Sequence, residues 1–403
     1  MQGNEKRTVS LIIGLLGVFI IYRLGADALG DIFQKSEDPS WAAMSAKVAP
    51  GSQAGCSSQA RIEHYGANPD IGRAIGLYRK ALELNPFNSR LWYHMALAYE
   101  ASGDRGLALH SIKNSYLLNP MQAENNRDTG IFYMNTAGLD AASYYFGRYL
   151  ELALPEVKDF DAFHSMRIPV EHITEKFLSG NRKATSGYAE YLAGRKMADE
   201  GVRFWHAAQK DLIGEKEKLR LCNMFLNHGK YEEAWSVWGH IEPAPSILSD
   251  GGFERETKGA CFGWMIKKSE GVRVSRDSGQ KTEGNMSLKM AFPGRNVKAY
   301  VLQHVLLRPG AEYVLGADLK TEGITSANGV YMEVSGRHCA GFRRSSDVYT
   351  GTNDWTRIEV PFHMPAECRA ALVSFRRELS SKFNNSIEGA AWVDNVELRE
   401  GTE

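Results

Sequence analysis

The sequence predicts a multidomain α + β chain, with an N-terminal transmembrane helix, an α-helical solenoid and a C-terminal antiparallel β-sandwich. Three observations carry this expectation. An unbroken apolar run lies near the start, and a 34-residue period with helical spacing fills the middle. After Pro243 to Pro245 the apolar spacing changes from helical to period two. The 403 residues leave room for several cores, and 43% hydrophobic content excludes wholesale disorder. Lys plus Arg equals Asp plus Glu at 48 each, so no net field draws the chain to nucleic acid and none is expected as a partner.

Residues 1–8 are polar and end on Lys6 and Arg7, whereas Val9 to Tyr22 carries no charge. Thr8 to Leu24 makes 17 residues, about 25 Å of helix at ~1.5 Å per residue. That is short for a ~30 Å hydrocarbon core, but Arg7 and Arg23 can snorkel from the two ends. The reading is a signal anchor at 9–24 with residues 1–8 cytoplasmic; Lys6 and Arg7 before the span place the bulk of the chain outside the cytoplasm. Ala26-Asp27-Ala28 leaves a cleaved signal peptide open, and a buried soluble helix is a third reading. No Cys follows the run to accept a lipid. Residues 25–60, rich in Ser, Ala, Gly and Pro, read as a linker.

Residues 61–245 carry the period. Ala81-Leu-Glu-Leu-Asn-Pro86 returns as Ser115-Tyr-Leu-Leu-Asn-Pro120, and Tyr149-Leu-Glu-Leu-Ala-Leu-Pro155 repeats the theme with one residue inserted. Between Phe87 and Pro120, the residues Trp92, Met95, Ala96, Tyr99, Ala108, Ile112, Ser115 and Pro120 follow one another as large, small and turn positions, with Gly103-Asp104 at the bend. This pattern resembles the tetratricopeptide helix–turn–helix unit. Leu219 to Trp235 has the same arrangement, and Phe160 to Leu178 and Tyr188 to Ala208 read as degenerate pairs, three to five in all. The resemblance implies a solenoid that binds protein partners on the face lined by its first helices. In the best copy that face would carry Arg90, Tyr93, Leu97 and Glu100; in the late copy Leu219, Asn223 and Leu226. The bland alternative for each is solvent exposure or packing on the next repeat.

Residues 246–400 hold seven short β-rich runs: Ser287 to Phe292, Ala299 to Leu307, Glu312 to Leu319, Val330 to Val334, Arg357 to Phe362, Ala370 to Phe375 and Ala391 to Leu398. Gly251-Gly-Phe-Glu254, Trp264, Gly284-Asn-Met-Ser-Leu288, Gln303, Leu307-Arg-Pro-Gly310, Trp355 and Trp392-Val-Asp394 follow in an order that resembles the jelly-roll carbohydrate-binding modules of glycanases. The resemblance implies a polysaccharide ligand and one structural calcium near Glu254 and Asp394; the alternative is a pair of strand-end hydrogen-bond acceptors. Flat aromatic faces and polar side chains for sugar are sought at Tyr300, Tyr331, Arg343, Arg344, Tyr349 and Trp355, while Trp264 and Trp392 read as core.

Five cysteines are present, none in a zinc spacing. Cys222 reads as a small buried hydrophobe on a helix; Cys339 and Cys368, both in the sandwich, pair if the domain is extracytoplasmic. No H-E-x-x-H, G-x-S-x-G, P-loop or dinucleotide glycine pattern occurs. The combination resembles bacterial repeat proteins of exopolysaccharide assembly and export. It implies a non-catalytic, inner-membrane-tethered scaffold that requires no cofactor. A polysaccharide lyase or hydrolase is the alternative, and a sandwich that merely caps the solenoid a third reading.

Overall fold

The computed structural model describes residues 25–26, 28–29, 39–242, 246–267, 270–339, 341–379, 381 and 385–401. The expected anchor at 9–24 lies outside them. Among the described residues no helix is long and apolar enough to cross a membrane. The chain packs as two compact units, residues 1–184 and 185–403.

The first unit is helical: α1 (Pro39–Val48), α2 (Gln53–Tyr65), α3 (Ile71–Leu84), α4 (Ser89–Ala101), α5 (Arg105–Leu118), α6 (Ala123–Ala137), α7 (Leu139–Leu152), α8 (Val157–Ser165) and α9 (Val170–His172), which runs into a π-helical turn at Ile173–Phe177. Residues 39–60 are therefore not a stalk. They build α1 and most of α2, because Ala54, Cys56 and Ala60 are small enough to be buried between turns. Ser52, Asp70, Asn88 and Asp104 each accept a hydrogen bond from the free N–H three residues on, and so start α2 to α5.

The 34-residue shift survives in the hydrogen bonds. Trp92 Nε1 donates to Pro86 O at 2.8 Å, and 34 residues later Asn126 Nδ2 donates to Pro120 O at 2.8 Å. A different side chain delivers the same N–H to the same carbonyl, so the turn keeps its geometry although the sequence signature fades.

The second unit begins within α10 (Arg182–Arg195) and continues through α11 (Ala198–Ala207), α12 (Glu215–Asn227) and α13 (Tyr231–Gly239). Among the described residues ten strands follow, in two five-stranded antiparallel sheets. One has the order β1 (Met265–Lys267), β4 (Ala299–Leu306), β9 (Ala370–Arg377), β6 (Tyr331–Gly336), β7 (Arg343–Ser345). The other has the order β2 (Arg273–Asp277), β3 (Ser287–Arg295), β10 (Ile387–Glu400), β5 (Glu312–Ile324), β8 (Gly351–His363). Leu288, Met290, Val301, Val305, Leu315, Leu319, Val334, Val373, Phe375 and Val393 interdigitate between them, as period-two alternation requires.

The helical expectation ended at 245, yet α12 and α13 pack in the same unit as the sandwich. Cys222 of α12 forms a disulfide with Cys261, which corrects its reading as an isolated buried hydrophobe. Asn223 Oδ1 accepts from Cys261 N at 2.9 Å, Asn227 Oδ1 from Arg337 Nη2 at 2.7 Å, and Glu232 pairs with Arg369. Tyr231 Oη lies 2.9 Å from His338 Nδ1.

Candidate functional site

Register decides which side chains share a face. In the first sheet, Lys267 lies opposite Tyr300, Tyr300 opposite Arg376, and Arg376 opposite Tyr331. These four make one row across four strands. Val301, Val305, Val373, Phe375, Met332 and Val334 alternate with the members of the outward face and point into the core. The next row is Met265, Leu302, Ser374, Glu333 and Ser345; the third is His304, Leu372, Ser335 and Arg343.

At the centre, the Arg376 guanidinium lies 4.7 Å from the Tyr300 ring centroid. Its Nη1 donates to Glu333 Oε1 at 2.5 Å, and its Nη2 to Glu378. Glu333 is only 2% exposed and also pairs with Arg343 Nε at 3.5 Å. Burial works to raise the Glu378 carboxyl, but hydrogen bonds from Arg376 and Lys298 hold it below the usual carboxylate range. Both carboxylates thus serve one guanidinium. Hydrogen bonds from Arg376 occupy an oxygen of each. The arrangement is one of fixed charge between two half-buried tyrosines.

Arg377, the next residue, faces the other way and is fully buried. It donates to Asn328 O at 3.2 Å, Asn296 Oδ1 at 2.8 Å, Asn385 O at 2.7 Å and to Val297 O. One side chain therefore ties together the loops at the Tyr300 and Tyr331 end of the sheet.

Of the six sugar candidates, the structure brings together Tyr300, Tyr331 and Arg343. Arg344 is exposed on edge strand β7, where it donates to Arg343 O at 2.9 Å. Tyr349 pairs its backbone with Val330 and packs its ring against the core. Trp355 lies on β8, in the opposite sheet, and cannot join this face. Trp264 is core, 5.0 Å from Phe253 and 6.0 Å from Phe375 between ring centroids. Trp392 is buried on the outward side of the second sheet, under Lys289, with Nε1 donating to Asp277 at 2.9 Å. The sequence reading missed Glu333, Arg376 and His304. Their positions in the alternation of β4, β6 and β9 were the available signal, but no aromatic marked them.

Glu254 and Asp394 do converge. A Cβ on Gly252 would lie 3.8 Å from an oxygen of each. Glu254 Oε1 accepts from the N–H groups of Asn285 and Met286, and buried Asp394 from those of Thr282, Glu283 and Asn395. They fasten the 282–286 loop to the start and end of the sandwich. The pair fits two of the six to eight oxygens a calcium ion takes. Among the described residues no cluster of three His, Cys, Asp or Glu could hold a metal, so backbone carbonyls would supply the remainder. Cys339 and Cys368 are joined in a disulfide, with Cα atoms 5.6 Å apart.

On the helices, Arg90 and Glu100 are exposed on α4, and Tyr93 and Leu97 are half-buried against Ala96, Ile112 and Phe132. Burial, then Asp128, pushes the Tyr93 hydroxyl up to about 12. Asp128, held by Arg127 at 3.0 Å, supplies polar character beside it. In the second unit Leu226 is 1% exposed and belongs to the core, so it is withdrawn from the groove. Leu219 is half-buried, and Asn223 uses its carbonyl on Cys261. A groove of about 590 Å³ does run there, between Lys196, Arg220, Asn223, Asn227 and His228.

Comparison with known proteins finds matches that each cover part of the chain. A tetratricopeptide repeat model fits residues 77–110. The tRNA nuclease WapA of Bacillus subtilis strain 168 is 23% identical over 202 residues, 47% of this chain and 8% of its own length. The tRNA(Glu)-specific nuclease WapA of Bacillus subtilis subsp. natto is 22% identical over 204 residues, with the same shares. The chain thus spans about a twelfth of the curated relatives it matches. Among solved structures, a family 16 carbohydrate-binding module is 22% identical, covering 38% of this chain and all of its own, with a TM-score of 0.28. TmCBM61, in complex with β-1,4-galactotriose, is 18% identical over 39% of this chain and all of its own, with a TM-score of 0.30. The enzymatically active domain of bacteriophage CBA120 tailspike protein 4 is 16% identical over 40% of this chain and 22% of its own, with a TM-score of 0.31.

Proposed function

We propose that the chain is a non-catalytic binding scaffold, with protein partners on the helical repeats and a polysaccharide on the outward face of the β1-β4-β9-β6-β7 sheet. The observation that carries the reading is the Tyr300–Arg376–Tyr331 row, in which two rings flank a guanidinium already locked by carboxylates. Rings offer C–H stacking to a pyranose and the fixed charges offer directed hydrogen bonds. The apolar run at 9–24 supports tethering to the inner membrane, and two disulfides support an oxidising, extracytoplasmic compartment. Exopolysaccharide assembly or export is the process we infer from the combination. A calcium ion bridging Glu254 and Asp394 belongs to the same proposal.

A glycan array followed by product analysis tests the main claim. Binding without released oligosaccharides, lost in the Tyr300→Ala/Tyr331→Ala variant with folding intact, is the expected result. Cleavage products would convert the scaffold into an enzyme, and retained affinity in that double variant would remove the sheet face. For calcium, a melting midpoint raised by the ion and lowered by chelator is expected; an unmoved midpoint leaves Glu254 and Asp394 as clamps of backbone N–H groups alone.

A further inference from the structure

The sheet face holds a second group of side chains that the Tyr300–Arg376–Tyr331 row does not use. His304 stands in the third row, on the same outward side as Tyr300. It is 7% exposed, and its Nδ1 has no hydrogen-bond partner. The charged groups that bear on it are Arg337, Lys267 and His338, all cationic or able to become so. Arg337 is half-buried just beyond the end of β6; its Nη2 reaches Asn227, but its Nε is buried with no acceptor. The titratable groups near Arg337 are the hydroxyls of Tyr231 and Tyr300, not carboxylates. Lys267, at the outer end of the Tyr300 row, makes no ion pair among the described residues.

The contrast with the neighbouring row is physical. There, Arg376 has Glu333 and Glu378, and Lys298 beside it has Glu378. Here two buried nitrogens go unpartnered, and among the described residues no carboxylate is one of the groups acting on His304 or Arg337. A buried, unsatisfied polar nitrogen is costly, and a cation withdrawn from water without a counter-charge costs more. Burial first, then the charges of Arg337, Lys267 and His338, pushes His304 down to about 3, and burial lowers Arg337. A group that supplies oxygen acceptors and negative charge would offset the field of Arg337 and Lys267 together. A carboxylate does so with a flat pair of oxygens that matches a guanidinium edge.

We propose that this face selects an acidic polysaccharide, and that the anionic substituent of one sugar residue docks between Lys267, His304 and Arg337 while its ring rests against Tyr300. The proposal deepens the glycan-binding reading above and rests on it. The substituent is a uronate carboxylate or an ester sulfate, since both present the same oxyanion; the probes below separate them.

The experiment is titration calorimetry of the full chain in detergent, carrying both disulfides, against four polymers. Alginate and dextran sulfate are the acidic probes, and carboxyl-reduced alginate and plain dextran their uncharged counterparts. Each is run at about 20 mM and about 300 mM salt, so that screened surface attraction is distinguished from a buried pairing. The expected result is binding of an acidic probe that persists at the higher salt, is weakened at least about tenfold by removal of its charge, and falls by a similar factor in Arg337→Gln. Lys267→Gln, at an exposed position, gives a second variant whose folding is not in question. Alginate alone binding assigns a carboxylate; dextran sulfate alone assigns a sulfate. Equal affinity for charged and uncharged partners, or full affinity in both variants, overturns the anionic docking while the glycan-binding reading stands. Binding that vanishes at the higher salt and ignores Tyr300→Ala is ion exchange and also overturns it. No binding to any of these polymers, together with a blank glycan array, removes the glycan-binding reading itself.

Discussion

Glu333 shows what burial does to a charge in this protein. At 2% exposure it depends on Arg376, whose side chain is itself only 12% exposed. Replacing Arg376 with Gln leaves that carboxylate to Arg343 alone, 3.5 Å away. We expect a loss of about 3 kcal/mol in the urea unfolding of the second unit, with most of it recovered when Glu333→Gln is added, because the penalty is the unpaired buried charge. His94 gives the residue-scale prediction for the first unit. It stacks on Tyr78 with centroids 6.0 Å apart, and burial, with Arg61 and Arg90 nearby, pushes it down to about 3. Below the ordinary histidine value of ~6.5 the unfolded chain takes up a proton that the folded chain refuses. Stability is therefore whole above ~6.5 and drains as pH falls towards 3, at up to about 1.4 kcal/mol per pH unit. Melting midpoints from pH 7 to 4.5 should fall, and fall less steeply in His94→Gln. Neither pairing could be read from sequence: Glu333 and Arg376 are 43 residues apart, and only the β6–β9 register joins them.

At the scale of the element, helix crossings set which small residues are tolerated. Gly130 of α6 stands 34 residues after Ala96, and a Cβ there would approach the Phe146 ring of α7 to 2.8 Å. Gly76 of α3 is also inside a helix, but a Cβ there meets nothing within 4 Å. Gly130→Val should destabilise the first unit by about 2 kcal/mol through overpacking. Gly76→Ala should stabilise it by about 0.5–1 kcal/mol, because only chain entropy changes. Circular-dichroism melts of the two variants check the opposite signs. The repeat period was legible because turn chemistry and small crossing residues recur every 34 positions. The strands found from alternation were the long, half-buried ones. Short edge strands β1, β2 and β7 were missed, because β1 and β7 are mostly exposed and none of the three has a fully buried residue to mark an inward face.

For the whole molecule, the division between residues 1–184 and 185–403 sets how it should unfold. Both disulfides lie in the second unit. Reduction should lower the calorimetric transition of residues 185–403 and leave that of the first unit in place. For the Cys222–Cys261 pair, which spans a sequence separation of 39, Cys222→Ser/Cys261→Ser should cost about 4 kcal/mol on the chain-entropy model. The succession of helical repeats and then strands was legible in the chain, because periods of 3.6 and 2 and their turn residues are local properties. Tyr300 and Tyr331 were legible there too, as residues worth watching. It took the folded chain to put α12 and α13 with the sandwich, to bring Cys222 to Cys261, and to place Trp355 on the other sheet from Tyr300 and Tyr331. Those facts depend on strand order and on contacts between segments tens of residues apart, which no local pattern encodes.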